Sequence, residues 1–287
     1  LPDTRQINLM DREGDFYELF EEPRHKNVEL LVRASYNRNM GKGQAKLFDQ
    51  VRSGKECGRL NICVHRQSSH PKLSKQKERE KREERHVEVA VRYQTIQMHA
   101  PITQEHKDKQ PTPLSIVHIR EESAPEGQNP VEWFLLTTLS INSLEDAIEC
   151  VRWYRLRWRI EDWHRTLKSG CNVEEIAHRT IDRLKRGIAI KMVIAWRIML
   201  MTLLSRECPE LSAEILFSDV EIEVLKNYAK KKGMKSPEQL GETVRLVASL
   251  AGYLGRKHDG HQVILNGFAY LQLMCDGYLL AVRGDIE

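Results

Sequence analysis

Apolar and polar residues alternate through the first half of the chain and recur every three to four positions through the second. Short apolar runs predict strands at residues 6–10 (QINLM), 28–33 (VELLVR), 60–65 (LNICVH), 86–93 (HVEVAVRY), 95–100 (TIQMHA), 114–119 (LSIVHI) and 132–139 (EWFLLTTL). The run at 86–93 alternates as a half-buried strand does. Asp15 stands where it could cap a short helix at 16–21. Three polar stretches break the pattern, at 72–86, 101–113 and 121–130, the last two rich in proline.

From Ser143 the period changes to that of a helix. Ser143 and Asp146 have the spacing of a capping box. Leu144, Ala147, Ile148 and Val151 form an apolar stripe behind it, and Gly170 is a natural stop, so one helix is predicted over 143–170. A largely apolar helix at 187–206 is predicted to be buried. Helices follow at 219–232, at 236–254 behind Ser-Pro-Glu, and at 263–281.

Composition narrows the class. A chain of 287 residues, 40% of them apolar, can build one large or two modest domains and is not wholly disordered. No uninterrupted apolar run reaches the roughly 18–20 residues of a membrane span, the nearest being broken by Lys191 and Arg197. No membrane partner and no secretory leader are expected. The six cysteines show no C-x-x-C pair or zinc spacing, which fits reduced thiols in a cytosolic protein. A net charge of +4 does not by itself require a nucleic-acid partner. Residues 72–86 carry seven Lys/Arg against four Glu; they read as a solvated stretch or as a DNA-backbone contact.

The candidate chemistry lies in the helix predicted at 143–170. On a uniform helical wheel Tyr154, Arg157, Glu161 and Lys168 fall within about 60° of arc, with Trp163 opposite them beside Ile160 and Leu167. The carboxylate can hold a divalent metal, the two cations can grip phosphates, and the phenol can hydrogen-bond one. The same stripe also reads as ordinary ion pairs on a helix surface, such as Arg157 with Glu161. A metal site needs further carboxylates. Asp11 is the best candidate, because it follows the strand at 6–10, and carboxyl ends of strands gather sites in α/β folds. It could equally be a cap or turn residue.

Taken together, the Tyr-x-x-Arg-x-x-x-Glu-x6-Lys spacing resembles the Y-R-E-K signature of bacterial insertion-sequence transposases of the insertion-sequence-four type. These are DD-E enzymes of the RNase H-like, retroviral-integrase superfamily. The words Trp133-Phe-Leu-Leu-Thr137, Asp11-Arg-Glu-Gly-Asp15 and the stretch 250–260 resemble that family too, so the likeness covers almost the whole chain. The resemblance implies that Asp11 and Glu161 are the second and third catalytic, metal-binding carboxylates, for Mg2+ or Mn2+. It implies that Tyr154, Arg157 and Lys168 contact phosphates, that Trp133 stacks an extruded base, and that Arg33 touches DNA. A sheet-core role for Trp133 and a generic surface role for Arg33 stay open.

The expected fold is α/β (α+β): an RNase H-like core remnant with an inserted β-rich subdomain and a helical C-terminal region. The expected segments are 1–34 (second-Asp strand), 35–125 (insertion), 126–186 (final core strand and Glu helix) and 187–287 (helical region). Only ten residues precede Asp11, so the family's first Asp is expected to be missing and the isolated chain inactive. The expected function is metal-dependent cleavage and transfer of DNA strands, in the cytoplasm of a bacterium and near its nucleoid. The expected partners are double-stranded DNA (transposon ends and target) and a second copy in a homodimer. The alternatives are an inactive DNA-binding, dimerising remnant and a structure-selective nuclease on the same fold.

Overall fold

A computed structural model gives the architecture; it describes residues 4–41, 43–64, 84–101, 109–253 and 261–283. Most of the charged stretch at 72–86, the middle of the stretch at 101–113, and residues 254–260 lie outside the described residues. The chain divides into two compact units, Leu1–Arg157 and Trp158–Glu287.

The first unit is a six-stranded mixed sheet with helices on both faces. Its strands are β1 (Gln6–Met10), β2 (Val28–Arg33), β3 (Gly58–Val64), β4 (Arg85–Met98), β5 (Thr112–Glu121) and β6 (Glu132–Thr137), in the order β1-β2-β6-β5-β4-β3. Only β1 and β2 run parallel; the other neighbours are antiparallel. The sheet runs without a break from the strands around Asp11 into the β-rich residues expected to form an insertion. The runs predicted at 86–93 and 95–100 are one strand, because Tyr93, Gln94 and Thr95 pair in unbroken register with Val117, Ile116 and Ser115.

Alternation along each strand feeds two cores. Leu31, Val117, Ile119 and Leu135 face α3 (Leu144–Arg155), which contributes Ala147, Cys150, Val151 and Tyr154. Leu30, Val32, Ile116, Phe134 and Leu136 face α1 (Tyr17–Glu21) and α2 (Leu47–Arg52), which supply Tyr17, Phe20, Leu47 and Val51. Each fully buried side chain of this size contributes about 1.5–3 kcal/mol. The Ser143–Asp146 capping box forms as predicted. Asp15 does not cap α1. It is buried, and its carboxylate instead accepts from Arg38 and from the N–H groups of Ser35 and Tyr36, fastening the segment after β2.

The helix predicted over 143–170 is not continuous. After α3 come a 3-10 turn (Leu156–Trp158), α4 (Arg159–Arg165) and a π turn (Thr166–Gly170). A single wheel at 100° per residue therefore does not describe it.

The second unit packs α5 (Ile181–Glu207), α6 (Asp219–Lys231), α7 (Leu240–Leu250) and α8 (His261–Arg283) around Ile198, Met201, Leu225, Leu240, Val247 and Leu271. The buried Glu221 carboxylate accepts from Arg197 and Gln272 inside it. α7 begins four residues later than predicted. Leu240 and Gly241 donate their N–H groups to Leu211 and Pro209, and Glu242 reaches back to the Glu238 N–H.

Two expectations about α5 need correction. It is not buried all round: Ile190, Val193 and Trp196 are exposed, as are Tyr270, Leu273 and Leu280 on α8. Further, Ile181–Glu207 and Gln262–Val282 are long and apolar enough to span a membrane by length and composition. Counting only unbroken apolar runs missed this, because such a segment tolerates two charges. In α5, Lys191 donates to the carbonyls of Cys171 and Asn172, and Arg197 pairs with Glu221.

Candidate nucleic-acid and metal site

The carboxyl end of the parallel β1–β2 pair delivers Asp11 and Arg33 side by side. Asp11 follows the last residue of β1. One of its oxygens accepts from the Glu13 N–H at 3.0 Å, capping the turn Arg12–Gly14, so the cap reading describes half of this carboxylate. The other lies 3.9 Å from an Arg157 nitrogen, and the side chain is half exposed. Gly14 makes the tight turn possible, since a Cβ there would stand 2.7 Å from Met10 Cβ.

Arg33 ends β2, half-buried. Burial lowers its pKa, and the nearby charges of Arg12 and Arg157 lower it further. Its guanidinium lies 5.9 Å over the Trp133 ring, contributed by β6. Trp133 in turn meets Tyr154 edge-on, with ring centroids 5.3 Å apart. Trp133 is thus partly sheet core and partly site.

Tyr154 is 2% exposed and belongs to the core under the sheet. Burial raises the pKa of its phenol, so it stays neutral. The guanidinium groups of Arg33 and Arg157 lie close enough to its hydroxyl to offset part of that rise. One buried residue on α3 therefore holds two cations at one spot. Asp11, Arg33, Trp133, Tyr154 and Arg157, drawn from the ends of β1 and β2, from β6, from α3 and from the turn after it, meet in the first unit.

Glu161 and Lys168 belong to the second unit. Glu161 is exposed in the first turn of α4. Lys168 lies in the π turn, exposed, 3.0 Å from Glu174. Arg12 was overlooked in the sequence; the only available signal was its adjacency to Asp11.

Such an arrangement can bind phosphodiesters: guanidinium groups beside an aromatic ring are able to meet both the backbone and a base face of a nucleic acid. The oxygen donors of Asp11 and Glu161 are of the kind that suits a hard cation such as Mg2+ or Mn2+. Among the described residues no three His, Cys, Asp or Glu side chains are grouped to hold one.

Comparison with known families agrees with the geometry. The sequence model of the transposase DDE domain matches residues 6–197, from β1 to the middle of α5. That of the Tn5 transposase dimerisation domain matches residues 193–277, which cover most of α5–α8. The family implies DNA binding and the use of a divalent metal. Because the first match spans well over half of the chain, this protein belongs to the DDE transposases, a family of polynucleotidyl-transferring enzymes.

Proposed function

We propose that this chain takes part in metal-dependent cleavage and transfer of DNA strands at transposon ends, in a bacterial cytoplasm, as one half of a homodimer. The observation that carries this reading is the Arg33–Tyr154–Arg157 cluster beside the Asp11 carboxylate. Asp11 and Glu161 would hold the Mg2+ or Mn2+. When bound, such an ion activates the attacking hydroxyl and stabilises the leaving oxygen. Arg33 and Arg157 neutralise phosphate charge, and Tyr154 positions both. Lys168 grips the backbone from the second unit. Trp133 stacks a base drawn out of the duplex, a step that a sharply bent DNA end requires. The exposed apolar residues on α5 and α8 support dimerisation, since the dimerisation-domain match runs through both helices.

The test uses the purified chain and labelled transposon-end duplex with Mn2+. Expected are salt-sensitive binding and, where cleavage occurs, nicks that disappear in Asp11→Asn and Glu161→Gln while binding persists. Nicks that survive both substitutions would overturn the carboxylate assignment. A second reading, a DNA-binding and dimerising remnant that does not cut, is favoured by the lack of a three-carboxylate group among the described residues. Binding without nicks at any metal concentration selects it.

A further inference from the structure

Beside the cluster described above, between the end of β2 and α2, lies a separate cavity of about 260 Å3. Its lining includes Arg12, Arg33, Ser35, Phe48, Arg52 and Glu132. Its polar groups are not equivalent. Arg52 is held by Glu132 in a two-pronged pair at 2.8 and 2.7 Å, and Glu132 is also 2.9 Å from His118 Nε2. That wall is internally neutralised. Arg12 and Ser35 are exposed, and Arg33 is shared with the Trp133 site. The cationic side of the cavity is therefore Arg12 with Arg33.

The lining is also aromatic. Phe48 stacks on Phe134 at 4.0 Å with their planes 12° apart, and Phe134 stacks on His118 at 4.3 Å. Arg52 lies 5.3 Å over Phe134, which stiffens the column further. A rigid, half-exposed phenyl thus lines a cavity whose lining also carries two guanidinium groups and a hydroxyl. Burial first, and then the like charge of Arg12, lower the Arg33 pKa, so an anion placed between the two arginines relieves a repulsion.

We propose that this cavity holds one nucleotide of an unpaired DNA strand, its phosphate on Arg12, Arg33 and Ser35 and its base against Phe48. The cavity falls just below the roughly 300–1,000 Å3 of ordinary ligand clefts, a size that suits a single nucleotide unit. The proposal rests on the DNA reading above and extends it: Arg33 is common to both sites, so a strand crossing it presents one base to Trp133 and another unit to Phe48.

The experiment measures binding of three fluorescent probes to the full chain: a blunt duplex, the same duplex with a short single-stranded tail, and the single strand. Inorganic phosphate and deoxyadenosine monophosphate are added as competitors. The variants are Arg12→Gln, Phe48→Leu and Phe48→Tyr, each checked by melting temperature. Expected is a loss of roughly fivefold or more in tail-dependent affinity for Phe48→Leu, and retention for Phe48→Tyr. For Arg12→Gln the salt slope on the single strand falls by about 0.7. Salt-sensitive duplex binding with no effect of these variants overturns the cavity and leaves the DNA reading standing. Absence of salt-sensitive binding to any probe defeats both. Competition by the free nucleotide that depends on Arg12, without any variant effect on the tailed probe, overturns the strand as occupant.

Discussion

Arg33 separates a residue kept for folding from one kept for DNA. Consider Arg33→Met, which keeps a long unbranched side chain and removes the charge. Folding loses the polar contact with the Tyr154 hydroxyl, at most about 1 kcal/mol net, and the cation–π contact with Trp133, about 0.5–1 kcal/mol. On the other side, a base whose pKa is lowered on folding destabilises the fold wherever it is charged in both states. Arginine at neutral pH is such a case. Removing the charge relieves that burial and the repulsion from Arg12 and Arg157, and it leaves an apolar chain against Trp133. These gains are of the same order, about 1–2 kcal/mol, as the 0.5–2 kcal/mol typical when a functional strain is relieved. The two sides nearly cancel, so the melting temperature should move by no more than about 2–4 °C.

DNA binding should respond quite differently. Loss of one phosphate contact lowers the slope of log affinity against log salt by about 0.9 on duplex DNA. Between about 50 and 200 mM salt the variant should therefore lose roughly three- to fourfold less affinity than the parent. Differential scanning fluorimetry and an anisotropy titration at several salt concentrations give both numbers. A fall of more than about 5 °C with an unchanged slope would make Arg33 a structural arginine and refute the reasoning.

Three further outcomes follow from other parts of the molecule. A Cβ on Gly267 of α8 would lie 2.0 Å from the Val247 carbonyl of α7, so Gly267→Ala should destabilise the second unit by about 1–3 kcal/mol; Gly277→Ala, with open space around it, should stabilise slightly, and thermal melts decide both signs. The Glu132 pKa is pulled down to about 2, first by its hydrogen bonds from Arg52, so its contribution is complete above the ordinary carboxylate pKa near 4.5 and fades as pH falls towards 2. Urea melts should show Glu132→Gln costing most near pH 7 and little at pH 2–3, whereas an equal cost at both would remove the charged network as its cause. Lys168→Ala should lower the salt slope by about one unit and leave folding unchanged, because Lys168 is exposed and its pair with Glu174 contributes little; a slope that does not move returns Lys168 to that surface pair.

Strands were legible wherever side-chain alternation was the whole signal. The runs at 6–10 and 28–33 match β1 and β2 to the residue, and the alternating apolar residues of β2 face a helix-covered core on each side of the sheet. Less was legible where tertiary bonds decide. Gln94, polar in mid-strand, looked like a break, yet ladder pairing to β5 carries the chain straight through. α2 has Leu47 and Val51 on one face over only six residues, too short to declare a period. The exposed face of α5 could not be foreseen, because an apolar helix reads the same whether its cover is its own chain or a second copy.

The Tyr-Arg-Glu-Lys spacing was legible as a pattern, and its physical meaning changes with the structure. On a uniform wheel the four residues looked like one polar stripe, all alike in facing a ligand. The 3-10 turn at Leu156–Trp158 ends that equivalence, leaving Tyr154 at the close of α3 under the sheet and Glu161 exposed on α4. A phenol that is 2% exposed is poorly placed to meet DNA, and its hydroxyl lies beside two guanidinium groups. Its ring fills the core as a phenylalanine would. Its oxygen faces the two arginines without adding negative charge that would compete with phosphate for them. A carboxylate in its place would bind the arginines more strongly and cancel the positive field that attracts the backbone. The tyrosine thus makes it possible to bury two cations beside a sheet and still leave them electrostatically available.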